Sequence, residues 1–169
     1  ADKSFREGKG GEITITRTGG TTTSQTLQVK SSDGSAATAD DDYAAINKTV
    51  TFAAGETEKT ISISTTADLK VEEDESFKLT ITAEGSDAVI PQIADGAAKV
   101  TIKADDFKYG KSIYTIVDGK TWTEAQAKAE KIGGYLATIS SDSENNFISS
   151  KFKELARTSD PNWGNRDRS

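Results

Sequence analysis

Apolar residues spaced two apart recur through the first two-thirds of the chain, each group closed by turn-forming residues. Residues 12–17 read Glu-Ile-Thr-Ile-Thr-Arg, a half-buried strand by its period, and Gly19-Gly20 ends it. Leu27 and Val29 mark a second strand, closed by turn formers from Ser31 to Gly34. Thr49 to Phe52 gives a third, after which Ala53 to Glu56 turns the chain. Ile61 and Ile63 alternate in the next, Phe77, Leu79 and Ile81 in another, and a last strand runs from about Ala98 to Ile102. Six or seven short strands rich in β-branched residues predict an antiparallel sandwich over residues 1–106, with Phe5 packing the first edge strand and Tyr43 and Phe52 in the core.

After Asp106 the period changes. Ile113, Tyr114, Ile116 and Val117 suit a strand turned by Asp118-Gly119. Thr121 with Glu124 three positions on is a capping box, and the helix it opens presents Trp122, Ala125, Ala129 and Ile132 before Gly133-Gly134 stops it. Tyr135 to Ile139 reads as a short strand. Ser141 with Glu144 repeats the capping signature before a helix with Phe147, Ile148, Phe152 and Leu155 on one face, and from Thr158 onward the chain reads as loop. Residues 107–169 thus form a second, partial α+β segment.

Charge divides the chain at the same place. Eleven basic against nineteen acidic residues give −8 for residues 1–106, and ten against eight give +2 for residues 107–169. An acidic sandwich argues against a nucleic-acid or anionic-membrane partner, because phosphate rewards basic patches. No apolar run approaches the roughly 18–20 residues of a membrane span, and no signal peptide is visible, as in a mature protein or an excised fragment. Cys and His are absent, which removes disulfides and every triad built on either residue, and no Gly-rich phosphate loop opens a helix. Glu72 with Glu75 has the composition of a glycosidase pair, but further acids crowd the same loop and aromatics are few, so no enzyme is expected.

The acids themselves carry the candidate chemistry. Glu7, Asp42, Asp68, Glu72, Glu75, Asp105 and Asp106 fall where a sandwich brings connecting loops together, and such a cluster repels itself unless a cation sits inside it. Calcium takes six to eight oxygens, which seven carboxylates supply if the loops meet. The plainer reading of Asp33-Gly34 and of Asp40 to Asp42 is a pair of solvated turns; Glu73 and Asp74 are expected to face outward, and Glu56 and Glu58 to decorate a turn and a strand edge.

Phe5-Arg-Glu-Gly, Arg17-Thr-Gly-Gly, Ser32-Asp-Gly-Ser, Asp41-Asp-Tyr43, Thr51 to Thr57, Glu72 to Phe77 and Val100 to Asp106 together resemble a Calx-beta domain over residues 4–106. The resemblance implies a mainly β, immunoglobulin-like sandwich of seven strands whose loops at one end bind Ca²⁺ in some members and none in others. By resemblance Glu7, Asp42, Asp68, Glu72, Glu75, Asp105 and Asp106 are the carboxylate ligands, with the backbone carbonyl of Lys70 beside them. Ala67 and Ala104 stand where the best calcium binders of the family carry Asp, which implies one or two weaker sites in place of a full cluster.

Tyr114, Thr121 to Glu130, Gly133 to Ile139 and Ser143 to Ile148 are similar to the opening of a C-type lectin-like domain, over about residues 109–155. The later motifs of that family are missing, and Pro161-Asn162-Trp163 arrives too early to serve as its sugar triplet. Without the missing half, Trp122, Ile132, Leu136, Phe147, Phe152 and Leu155 lack cover. Together these resemblances imply a calcium-binding structural and adhesive module of a larger extracellular or cell-surface protein, of bacterial type, whose partners are calcium, its neighbouring domains and another protein or glycan. A carbohydrate-binding protein with the sandwich as presenting scaffold, and a metal-free interaction scaffold, stand as alternatives.

Overall fold

The computed structural model describes residues 1–84 and 93–159, the last four of these by backbone alone. The chain divides into two compact units, one formed by Ala1–Thr66 with Asp74–Lys103, the other by Ala67–Glu73 with the chain from Ala104 onward.

The first unit is a two-layer sandwich. Its strands are β1 (Lys3–Arg6), β2 (Gly11–Thr16), β3 (Gln25–Ser32), β4 (Asn47–Phe52), β5 (Glu58–Ile63), β6 (Glu75–Glu84) and β7 (Ala97–Lys103). One sheet has the order β1-β7-β6-β3-β4, and β2 pairs with β5 in the other. Alternation does the sorting. Ile13 and Ile15 of β2, Ile61 and Ile63 of β5, Leu27 and Val29 of β3, and Phe77 and Leu79 of β6 turn inward, and with Phe52, Val100 and Ile102 they form one buried cluster between the sheets. Each such side chain contributes about 1.5–3 kcal/mol on burial, so the period-two pattern specifies which face of every strand is inside.

Two features depart from the sequence expectation. β3 runs through Ser31 and Ser32, because Ser31 and Ser32 pair with Leu79 and Lys78 of β6 and the ladder outlasts the turn-forming composition. The sheet is not wholly antiparallel, since β1 lies parallel to β7 with Lys3 opposite Val100 and Arg6 opposite Lys103. The stretch Asp40 to Asp42 is a turn as expected, following a short 3-10 segment at Thr38–Asp40, and Asp41 takes a left-handed φ of 69° that Asp tolerates. Phe5, Tyr43 and Phe52 take their expected places, Glu73 and Asp74 are exposed, and Glu56 accepts the Ala53 N–H at 2.7 Å across its turn.

In the second unit β8 (Phe107–Tyr109) and β9 (Ser112–Tyr114) form a hairpin about Gly110, whose φ of 61° lies in the left-handed region that favours glycine. Helices α1 (Trp122–Lys131) and α2 (Asp142–Ser159) follow. Both open as the capping signatures predict. The Glu124 N–H donates to the Thr121 hydroxyl and the Glu144 N–H to the Ser141 hydroxyl, each at 3.2 Å. The reciprocal half of each box reaches one residue further back, to the N–H of Lys120 and of Ser140, each at 2.8 Å.

The expected strand at Tyr135 to Ile139 does not form. Its apolar residues do not alternate, and no partner ladder satisfies its backbone among the described residues, so the stretch is irregular with Tyr135 81% and Ile139 47% exposed. Ile116 and Val117 lie past the end of β9, and α2 continues to Ser159, beyond the loop expected from Thr158. Phe147 packs its ring on Tyr109 at 4.9 Å, but Trp122 at 71% and Phe152 at 53% exposure are not covered. Pro161-Asn162-Trp163 lies outside the described residues.

Candidate metal centre

Three of the carboxylates are brought to one end of the five-stranded sheet. β1 and β7 finish together, and the Glu7 N–H donates to the Lys103 carbonyl at 3.0 Å, which extends their pairing by one residue and holds Glu7, itself buried, just past the strand end. β6 is antiparallel to β7 with Glu75 opposite Ile102, so Glu75 opens its strand at that same end. β3 leaves the sheet there too, and the loop after it is pinned by the Ala36 N–H donating to the Ser76 carbonyl at 3.0 Å and by Tyr43 stacking on Phe77 with ring centroids 3.8 Å apart. Asp42 precedes Tyr43 and is half-buried; its Oδ2 accepts the Ala37 N–H at 2.7 Å and its carbonyl accepts the Thr66 N–H at 3.0 Å. Gly10 completes the turn after Glu7 at φ 58°, where a Cβ would stand 2.2 Å from the Ile63 carbonyl oxygen.

The remaining acids sit in the second unit. Asp105 and Asp106 are 1% and 3% exposed, and Asp68 and Glu72 are half-buried. The Asp106 carboxyl is pushed up to about 7, first by burial and then by the charges of Asp105, Asp68 and Glu72. The Thr115 hydroxyl close by pulls the other way, by more than any one of those charges, while the geometric hydrogen bond it makes goes to Asp105 Oδ1, at 3.2 Å, and both oxygens of Asp106 are buried with no such bond. Such a group costs several kcal/mol unless something positive meets it.

Lys70 enters differently from the sequence expectation, which considered only its carbonyl. Its N–H donates to Asp68 Oδ1 at 2.6 Å, and its ammonium stands 3.1 Å from Asp68 Oδ2 and 3.8 Å from Glu72 Oε1. The ammonium is more than half exposed, so each pair contributes less than about 1 kcal/mol. The available signal was the spacing: a Lys two residues from each of Asp68 and Glu72 in one short loop is placed to reach both. Thr115 gave no signal at all, being one Thr among many.

These residues suit a hard cation. Every candidate donor is an oxygen, His and Cys are absent from the sequence, and an orphaned buried carboxylate is what a bound cation would satisfy. Ala67 and Ala104 are half-buried and offer no side-chain donor.

Comparison with known proteins shows the family. Residues 4–106 match the Calx-beta domain. The chain belongs to that family. Among solved structures, this Calx-beta chain is similar to the calcium binding domain CBD12 of CALX1.1, at 26% identity and a TM-score of 0.54, over 62% of this chain and 41% of that one. It is similar also to CBD12 from CALX1.2, at 25% identity and 0.54 over 62% and 42%, and to the apo form of the Calx CBD1 domain, at 25% and 0.52 over 62% and 90%. The chain thus spans about two-fifths of the two CBD12 structures. No curated protein sequence matches it. Calx-beta domains are non-enzymatic modules, and the immunoglobulin-like, mainly β fold expected here is theirs. No helix among the described residues is long and apolar enough to cross a membrane.

Proposed function

We propose that this Calx-beta domain is a Ca²⁺-binding structural module, with Glu7, Asp42, Asp68, Glu72, Glu75 and Asp106 as its carboxylate ligands. Asp105 and the Lys70 carbonyl complete the proposed ligand set. The observation that carries the reading is Asp106, buried, crowded by three other acids and without a hydrogen bond to either oxygen. Calcium supplies the missing charge and the missing bonds together, with no covalent step. Because it binds the folded chain and not the unfolded one, it stabilises by about 2.7 kcal/mol at a hundred times Kd.

The test is thermal melting in calcium and in chelator, for the unaltered chain and for Asp68→Asn and Glu72→Gln. A rise of several degrees with calcium, reduced in both variants, is expected; identical melting of the unaltered chain in calcium and in chelator rejects the reading in favour of a metal-free scaffold. Lys70→Gln removes a tethered positive charge that a cation must displace. Calorimetric titration is expected to show calcium binding about twofold to fivefold tighter in this variant, with the difference shrinking at high salt.

The setting we propose is a larger extracellular or bacterial cell-surface protein in which the module positions its neighbours, and it rests on the lectin-type resemblance of residues 109–155. The same resemblance supports a second reading, glycan recognition by a completed second segment, and what favours it is that α1 and α2 begin at the Thr121 and Ser141 caps. Glycan retention lost on removal of the segment after Asp106 is the result that would prefer it.

A further inference from the structure

Asp33 reads in the sequence as part of a solvated turn, yet its carboxylate accepts three hydrogen bonds from the loop that it opens. Oδ1 takes the Thr38 N–H at 3.1 Å and the Tyr43 hydroxyl at 2.6 Å, and Oδ2 takes the Thr38 hydroxyl at 3.3 Å. We infer that Asp33 is a positioning residue for the cation site, a clamp on the loop up to Tyr43 that fixes how Asp42 presents its carboxylate. This rests on the calcium reading above and adds to it an acid that acts without touching the ion.

The geometry lies in which residues are gripped. Asp42 and Ala37 form a closed pair: the Ala37 N–H donates to Asp42 Oδ2 at 2.7 Å, and the Asp42 N–H donates back to the Ala37 carbonyl at 3.3 Å. That pair takes one oxygen of Asp42 and leaves Oδ1 to meet a cation. Thr38 follows Ala37 and Tyr43 follows Asp42, so the three bonds to Asp33 hold the chain neighbour of each member. Ala36 and Tyr43 fasten the two ends of this stretch to β6, through the Ser76 carbonyl and the Phe77 ring, and Asp33 fastens its middle to its end. The bonds from Tyr43 and then Thr38 hold the Asp33 carboxyl below the usual carboxylate range, so at neutral pH it accepts them in its charged form. Charge is not what the clamp needs. An amide oxygen also has two lone pairs for the Thr38 N–H and the Tyr43 hydroxyl, and its NH2 can donate to the Thr38 hydroxyl in place of the third bond. A methyl group can do neither.

Groups that orient metal ligands typically cost about 10–100-fold in metal affinity when removed, and one that acts through its neighbours belongs at the lower end. The experiment titrates the full chain with calcium alone by calorimetry and melts it in chelator and in excess calcium, for the unaltered protein, Asp33→Asn and Asp33→Ala. Calcium binding about tenfold weaker in Asp33→Ala, with Asp33→Asn within about threefold of the unaltered chain, is expected, together with a smaller calcium-induced rise in melting temperature for Ala. Binding weakened equally in both variants makes Asp33 a ligand or a source of charge, and binding by Asp33→Ala within about twofold of the unaltered chain makes it a structural residue only; either result overturns the inference. Should Asp33→Ala fail to fold, Tyr43→Phe and Thr38→Ala each remove one hydroxyl from the clamp. Binding about twofold to threefold weaker in each is then expected, and unchanged binding in both overturns it. An unaltered chain that neither takes up calcium nor melts higher with it rejects the calcium reading itself and this inference with it.

Discussion

Asp106→Asn raises the melting temperature of the calcium-free protein at pH 8 and removes the further rise that calcium produces. A substitution that stabilises one state and destroys the response to a ligand follows from what surrounds this carboxylate. Asp106 is 3% exposed, faces the charges of Asp105, Asp68 and Glu72, and has no hydrogen bond, so without a cation its ionised form is a cost. Asn keeps the shape and drops the charge, which recovers about 1–3 kcal/mol, a shift of several degrees for a domain of this size. The sign with pH is fixed by the direction of the shift. In the folded protein the carboxyl keeps its proton to about pH 7, against an ordinary value of 3.8, so between those values the folded state binds a proton that the unfolded state has released. Calcium-free stability from this group is thus unaffected below about pH 4, falls as pH rises towards 7 and is level above it, and the slope vanishes in Asp106→Asn. Calcium competes with that proton, so the calcium-induced rise in melting temperature is small at pH 5 and complete at pH 8. Melting curves in chelator and in calcium at these two pH values check each part, and an Asp106→Asn chain that melts lower in chelator at pH 8 contradicts the account.

Phe77→Ala is expected to cost about 3–5 kcal/mol, against the 5–15 kcal/mol that a domain of this kind has in total. Phe77 is 2% exposed near the start of β6, the middle strand of its sheet, and the cavity left behind cannot close, because β6 is flanked on both sides by paired strands. The loss does not stop at the core. Tyr43 lies flat on the Phe77 ring, 3.8 Å between centroids with the planes 3° apart, and it is the residue that follows Asp42. Removing the ring releases the loop that holds a proposed ligand, so calcium affinity falls with stability. Tyr43→Phe separates the two contributions: it retains the stack and loses only the hydroxyl's hydrogen bond to Asp33, 2.6 Å long, at about 1 kcal/mol. Urea unfolding with calcium titration of both variants checks the ranking; Phe77→Ala no less stable than Tyr43→Phe would refute it.

The strands were legible because one face of each is buried, and burial writes itself into the sequence as alternation. β1 was harder, since Lys3 to Arg6 carries a single apolar residue, Phe5, and its parallel pairing with β7 joins segments far apart in sequence that no local signal relates. The helices were legible from their caps, Thr121 with Glu124 and Ser141 with Glu144, while Tyr135 to Ile139 misled because an apolar composition alone does not supply a partner strand. At the candidate metal centre, the acids stood out as charges gathered in connecting loops. Their burial did not, because whether a carboxylate is 3% or half exposed depends on the residues that fold over it. Lys70 was legible in position, while the reach of its ammonium to Asp68 and Glu72 follows from how the loop folds, and Thr115 comes beside Asp105 only in the folded chain.

The parallel pairing of β1 with β7 also decides how the sandwich answers a pull. With the two strands side by side and pointing the same way, tension applied at Lys3 and at Lys103 draws them past each other lengthwise, so the register pairs from Lys3 with Val100 to Arg6 with Lys103 are strained together. A hairpin pulled at its open end parts one rung at a time. Here the rungs must shear as a group, and a sandwich stretched between these two strand ends yields at this seam only when all of them fail at once.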